Sequence, residues 1–289
     1  MLALRALARA AIATLRARRI LRAISPDAVM GAGGYVTGPV VLAALTRGTP
    51  VLLTEADSRL GLANRLLAPF ARRVCLSFPP RGRIERAGKY VVTGRPIPFP
   101  PQERASSRAR LRLGPEEALV LVFGGSLGAR SINEAAIEAF SHGTMRVLHV
   151  CGRRDFSSLS GRVRREGYEL VEYLEVDEFE RALAAADVVV ARAGGSVFEI
   201  AAYGVPAVLV PYPHAAGDHQ SENARWMSDA GAAVMLADRE LTAARLAADV
   251  EALLGDRERL RAMSLASRAL ARPRAALDVA NELLEIARG

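Results

Sequence analysis

Apolar residues along the chain follow two spacings that alternate. Short, nearly uninterrupted aliphatic runs in TPVLLTEAD (49–57), ALVLVFGG (118–125), DVVVARAGG (187–195) and PAVLVPYP (206–213) predict strands buried on both faces. RRVCLSFP (72–79), KYVVTGRP (89–96), MRVLHVCG (145–152) and YELVEYL (168–174) add further strands. Between them, INEAAIEAF (132–140), EFERALAAA (178–186) and SVFEIAAYG (196–204) space their apolar residues three to four apart, as amphipathic helices do. ELTAARLAADVEALL (240–254) and ALDVANELLEIA (276–287) close the chain with the same period. Strands and helices in alternation predict an α/β fold with parallel sheets covered on both faces.

DAVMGAGGYVTGPVVLAAL (27–45) reads as a strand, a glycine turn and a helix. The proline-rich RPIPFPPQE (95–103) breaks both periods and is the linker candidate. The expected organisation is two doubly wound, Rossmann-like domains facing a cleft. Residues 1–97 form the first, residues 98–265 the second, and residues 266–289 a C-terminal helix that packs back on the first. The opening segment, residues 2–24, is a basic helix in which Leu4, Leu7, Ala8, Ala11 and Leu15 share a stripe beside Arg5, Arg9 and Arg16. Such a helix either lies in a membrane interface or packs its stripe on its own sheet.

Composition narrows the partners. Residues 1–110 carry 19 Lys and Arg against 5 Asp and Glu, while the remainder carries 20 against 26. A basic N-terminal half points to an anionic surface or a phosphorylated ligand. Nucleic acid is excluded, since the aromatics of that half (Tyr35, Phe70, Phe78, Tyr90, Phe99) form no stacking motif. With only Cys75 and Cys151, a disulfide framework is not expected and a reducing cytoplasm is the natural compartment. Charges interrupt every apolar stretch well short of the roughly 18 residues of a membrane span.

Glycine turns sit where strands hand over to helices. GAGGYVTGP holds Gly31, Gly33 and Gly34; GGSLGARSIN holds Gly124, Gly125 and Gly128 with Ser126 and Arg130; RAGGSVFE runs from Arg192 to Glu199. Backbone N–H groups at such junctions suit a phosphate-bearing ligand. Neither of the first two turns completes the dinucleotide G-x-G-x-x-G pattern, and Lys89, the sole lysine, is not in a Walker motif. No metal site is expected: His142, His149, His214 and His219 lack ligand spacing and no D-x-D occurs. His149 reads as a core histidine, whereas His214 and His219 flank a Gly-Asp loop after a buried strand.

Four ordered motifs, GAGGYVTGPVVLAA, GGSLGARSINEA, ARAGGSVFEIAAYGVPAVLVPYP and DHQSENA, resemble the MurG family from about residue 20 onwards. The resemblance implies a GT-B glycosyltransferase that moves N-acetylglucosamine from UDP-GlcNAc to a polyprenyl-diphosphate-linked muramoyl-pentapeptide, lipid I to lipid II in peptidoglycan synthesis, with inversion and no cofactor. It implies donor-binding roles for Ser126, Arg130, Leu174 (through its backbone, on uracil), Arg192, Gly194, Gly195, Ser196, Val197, Glu199 (on the ribose), His219, Gln220 and Asn223. Gly33, Gly34, Tyr35, Gly124 and Gly125 would meet the acceptor diphosphate, and residues 1–24 an anionic membrane at the cytoplasmic face of the plasma membrane.

The family pattern opens with a strand and a Gly-Gly-Thr-Gly-Gly-His loop, which would lie upstream of Met1, so the N-terminal domain is expected to be incomplete. That loop's histidine is the usual base; within the chain only Glu55 and Asp57 of TEAD stand near the reaction in the family pattern. A late-assigned start, a split enzyme whose missing N-terminal half acts in trans, and a non-catalytic UDP-sugar-binding homologue all fit this departure. A UDP-GlcNAc 2-epimerase would share the fold but not the lipid docking.

Overall fold

A computed structural model describes residues 2–80, 88–98, 103–163 and 165–289. Residues 99–102 of the expected linker lie outside the described residues. The chain divides into two units, one made of Met1–Ile97 with Arg272–Gly289 and the other of Pro98–Ala271.

The first unit runs α1 (Leu2–Ile24), β1 (Val29–Gly31), α2 (Gly34–Leu45), β2 (Val51–Glu55), α3 (Leu62–Leu67), β3 (Arg73–Leu76) and β4 (Tyr90–Val92). The four strands form one parallel sheet in the order β1-β2-β3-β4. Side chains alternate across it as the pleat requires. Val51, Leu53, Val74 and Leu76 join Val41, Ala44, Ala17 and Leu21 in one cluster. Leu52 and Cys75, on the opposite face, pack against Val279 and Ile286 of the chain's last helix, Ala275–Arg288. Arg73 fastens that helix through Glu282 at 2.5 Å and Glu285 at 2.8 Å. The return to this unit falls at Arg272 rather than 266, because the helix Arg257–Leu270 first completes its packing in the second unit.

Helix α1 turns a different face inward from the expected stripe. Ala17 and Leu21 are buried, whereas Ala8, Ala11 and Leu15 are exposed along with Ile12, Ile20 and Ile24. Two buried positions a helical turn apart suffice for docking on α2, which leaves Ile12, Leu15, Ile20 and Ile24 facing outward, while the side chains of Leu4 and Leu7 lie outside the described residues.

The second unit runs α4 (Arg104–Arg110), β5 (Leu119–Phe123), α5 (Arg130–Phe140), β6 (Arg146–Val150), α6 (Phe156–Leu159), β7 (Tyr168–Val171), α7 (Val176–Ala185), β8 (Val188–Ala191), α8 (Val197–Tyr203), β9 (Ala207–Leu209), α9 (His219–Asp229), β10 (Ala233–Met235), α10 (Ala243–Leu254) and α11 (Arg257–Leu270), with α12 (Ala275–Arg288) returning to the first unit. Its sheet is parallel in the order β10-β9-β8-β5-β6-β7, the doubly wound arrangement in which the order of strand addition reverses beside β5. Val120, Val122, Val188 and Val190 face Ile132, Ile137 and Phe140 of α5 and Leu246, Val250 and Leu253 of α10. Each such fully buried side chain contributes roughly 1.5–3 kcal/mol. The switch point lies between β5 and β8, so the loops Gly124–Ala129 and Arg192–Ser196 stand side by side at the carboxyl ends of the strands.

Candidate functional site

Those two loops border adjoining cavities in the second unit. One, of about 630 Å³, is lined by Gly124 to Ser131, Arg154, Arg192, Tyr212, His214, Gln220 and Asp238. The other, of about 290 Å³, shares Gly125 and Ser126 and is walled by Phe123, Val150, Tyr173, Leu174, Val176 and Phe179, with Glu180, Ser196 and Glu199 at its polar side. Phe123 and Phe179 meet edge to face at 5.0 Å, and the Arg153 guanidinium lies over Tyr173 at 5.2 Å, so the aromatic wall is fixed in place. An aromatic-walled slot adjoining a cavity lined by the Gly124–Gly128 turn matches a planar base with a phosphate tail.

The polar cavity is shaped by backbone. Gly128 has φ +80°, and a Cβ there would run into the Cys151 carbonyl, so only glycine lets the loops after β5 and β6 approach. Gly124 is a packing glycine whose Cβ would overlap Ala129. Helix α5 starts at Arg130 with its side chain exposed toward the cavity, so the helix's positive end and a cation face the same space.

Several predicted donor residues play a different part from that expected. Arg192 is turned inward: its Nη1 donates to the carbonyls of Val210 and Pro211, both at 3.1 Å, and to Asp238 at 2.6 Å, while Nη2 donates to Ser131 at 2.8 Å. It clamps β8 to the loop after β9. Val197 is fully buried and its N–H closes on the Gly194 carbonyl, so of that turn it is Ser196 that lines a cavity, the smaller one. Asn223 is also fully buried and donates to the Ala193 carbonyl at 3.0 Å, supporting the turn from behind. Gln220 lines the polar cavity and accepts from the Tyr212 N–H at 3.0 Å. His219 is half-buried, and its Nδ1 faces the Ala216 carbonyl at 2.8 Å. Leu174 and Glu199 line the slot, and Ser126 lines both cavities.

The sequence reading missed Arg154 and the network that holds it. Asp155, nearly buried, takes the Arg154 fork at 3.1 and 3.3 Å and a hydrogen bond from Asn133 at 3.0 Å. Its carboxyl is held below the usual carboxylate range, first by the Arg154 hydrogen bond. Asn133 accepts from His149 Nε2 at 3.0 Å, and His149 Nδ1 meets the Tyr168 hydroxyl at 2.8 Å. Burial pushes His149 down to about 4, so the ring is neutral. It is a core histidine, as read, and a link in the chain of bonds that runs from Tyr168 to Arg154 at the cavity. The Gly-Arg-Arg-Asp turn after a predicted strand was the available signal.

In the first unit, Gly33 and Gly34 have φ of +81° and +75°, and Tyr35 beside them is fully exposed. Glu55 is buried, and its carboxylate accepts from the N–H groups of Asp57 at 3.2 Å and Gly61 at 2.8 Å and from Asn64 at 2.9 Å. It fastens loop 55–64 and is not positioned as a free base; Asp57 is half-buried beside it. Asn64, also missed in the sequence, donates in addition to the Thr54 carbonyl at 2.9 Å.

Two Rossmann-like sheets, one carrying a nucleotide-shaped site at its switch point, define the architecture of a GT-B glycosyltransferase. The chain belongs to glycosyltransferase family 28: the family's C-terminal domain matches residues 119–279 and its N-terminal domain residues 3–76. The UDP-N-acetylglucosamine--N-acetylmuramyl-(pentapeptide) pyrophosphoryl-undecaprenol N-acetylglucosamine transferase of Moorella thermoacetica is 45% identical over 269 residues, covering 88% of this chain and 72% of the relative. The crystal structure of Acinetobacter baumannii MurG superposes with a TM-score of 0.76 at 29% identity, covering 94% of this chain and 77% of that one. A UDP-N-acetylglucosamine 2-epimerase structure from Listeria monocytogenes, at 16% identity and a TM-score of 0.68 over 94% of this chain and 77% of its own, shares the fold. No helix among the described residues is long and apolar enough to cross a membrane.

Proposed function

We propose that the chain transfers N-acetylglucosamine from UDP-GlcNAc to the polyprenyl-diphosphate-linked muramoyl-pentapeptide, the lipid I to lipid II step of peptidoglycan synthesis. The carrying observation is the paired cavity at the switch point, aromatic at one end and lined by the Gly124–Gly128 turn at the other. Uracil enters the slot and meets the Leu174 backbone, Glu199 accepts from the ribose, and the diphosphate lies along Gly125–Ser126 and Gly194–Ser196. The sugar extends toward His219 and Gln220. In a direct inverting displacement, charge gathers on the departing UDP. Pre-aligned N–H groups, the α5 N-terminus, Arg130 and Arg154 stabilise it without reorganisation at the moment of reaction.

Gly33, Gly34 and Tyr35 receive the acceptor diphosphate. The arginines of α1, all exposed, dock with Ile12, Leu15, Ile20 and Ile24 on anionic lipid at the cytoplasmic face of the membrane. Because Glu55 is committed to its loop, Asp57, half-buried beside it, is the remaining one of the two candidates for the acceptor's base. Unchanged transfer by Asp57→Asn would overturn that assignment. Calorimetry with UDP tests the donor site directly: Glu199→Ala is expected to weaken binding by about 1.5–3 kcal/mol, the scale of a hydrogen bond to a charged group. An unchanged affinity would show that the ribose lies elsewhere.

A further inference from the structure

Two carboxylates line the nucleoside slot, and the fold accounts for them differently. Glu180, on α7, is 8% exposed, borders the cavity and makes no hydrogen bond or ion pair among the described residues. The Tyr203 hydroxyl, on which the charge of Glu180 acts, does not serve it, because that hydroxyl is itself buried without a hydrogen-bond partner. Burial, and secondarily the charge of Asp177, raises the Glu180 carboxyl above its ordinary range. A mostly buried carboxylate whose only hydrogen-bond donors come from solvent is a cost to the fold. The cavity is the side from which donors can arrive.

What the cavity admits follows from its two ends. Phe123, Val150, Tyr173, Val176 and Phe179 form the apolar wall, while Ser196, Glu199 and Glu180 lie on the side of the glycine turn. Glu180 and Glu199 both act electrostatically on Tyr203, which places the two carboxylates in one neighbourhood. In a nucleoside diphosphate the ribose lies between base and phosphates, and its two adjacent hydroxyls are O–H donors. A carboxylate is an acceptor only, so a pair of carboxylates and a vicinal diol are complementary.

We propose that Glu180 is a ligand-binding residue that accepts a hydrogen bond from one ribose hydroxyl of the nucleoside diphosphate, while Glu199 holds the other. The assignment rests on the reading of the slot as a nucleoside site. It makes Glu180 a determinant of ribose against deoxyribose, a selectivity that aromatic walls cannot supply.

The test is calorimetry on the full chain with UDP, 2′-deoxy-UDP and 3′-deoxy-UDP, for wild type, Glu180→Gln, Glu180→Ala and Glu199→Ala, alongside thermal unfolding without ligand. Wild type is expected to lose roughly tenfold in affinity with each deoxy ligand. Glu180→Ala should bind UDP roughly tenfold more weakly and no longer distinguish UDP from one deoxy ligand, while Glu199→Ala loses discrimination against the other. Glu180→Gln should unfold at or above the wild-type temperature, since it removes a buried charge; a merely structural glutamate would leave it less stable. If both Glu180 variants discriminate the deoxy ligands as wild type does, the assignment is overturned while the slot reading stands. If wild type does not bind UDP at all, both fall.

Discussion

His149 ties stability to pH in a way that can be worked from its surroundings. Its ring is fully buried. Asn133 spends its amide hydrogens on the Cys151 carbonyl at 2.9 Å and on Asp155 at 3.0 Å, so its Oδ1 is the acceptor for His149 Nε2–H. His149 Nδ1 therefore accepts from the Tyr168 hydroxyl, and a second proton would have to displace that donor and place a charge in the core. Burial lowers the ring from 6.5 to about 4. The unfolded chain takes up this proton below about pH 6.5 and the folded chain only below about pH 4. The stability in question is thus fully present above the unfolded value, lost as pH falls through this window, and level below it. The full difference amounts to about 3 kcal/mol, of which about 2 kcal/mol is lost by pH 5.

His149→Gln removes the titration while keeping a donor and an acceptor. Urea unfolding should be followed by the fluorescence of Trp226, the only tryptophan, which stacks at 5.1 Å from Phe198 in the second unit. Between about pH 7.5 and pH 5, wild type should lose about 2 kcal/mol more than the variant. Carboxylates common to both proteins cancel in that difference. Parallel losses would show that the ring is not held neutral by the fold, and the network from Tyr168 to Arg154 would have to be redrawn.

Arg192→Ala should cost about 2–4 kcal/mol in the second unit, because Asp238 keeps only the Ser131 hydroxyl and two carbonyls lose a donor, and it should weaken UDP binding by disturbing the neighbouring turn; denaturation and calorimetry read the two effects separately. Glu55→Ala should lower the stability of the first unit by about 2–4 kcal/mol and speed amide exchange in residues 57–64, with UDP affinity unchanged, since its bonds all lie within loop 55–64. Leu15→Asp with Ile20→Asp should reduce co-sedimentation with anionic vesicles, and raised salt should weaken the wild-type interaction too; binding that ignores both changes would remove α1 from the membrane contact.

The strands were legible because a parallel sheet buried on both faces writes itself as continuous aliphatic runs, as in Leu119–Phe123 and Val188–Ala191, all buried. Helix α9 was not, because its inward face carries Glu222 and Asn223 as well as Ala224 and Met227, which breaks the apolar period. Helix α11 buries only Met263 and Ser267, and β10 is three residues long; neither leaves a pattern. The glycine turns could be placed from the chain's order, whereas the slot residue Leu174 was reached only through the family resemblance. The roles of Arg192 and Glu55 could not, because an arginine or glutamate after a strand reads the same whether it faces a ligand or a ring of backbone groups. Arg192 finds Asp238, far along the chain, and Glu55 finds Asn64, and only the fold shows those meetings.

Glu180 is the reverse case, and it explains why sequence periodicity hides binding residues. In EFERALAAA it occupies what reads as the solvated face of an amphipathic helix, yet α7 buries it together with Ala182, Leu183, Ala184 and Ala185. Arg192 and Glu55 are charged groups whose partners the fold supplies, so their removal should show first as lost stability. Glu180 is a charged group to which the described fold supplies no donor, so its removal should cost stability nothing and show first as lost affinity. The sign of the stability change therefore separates residues that shape the site from residues that await what enters it.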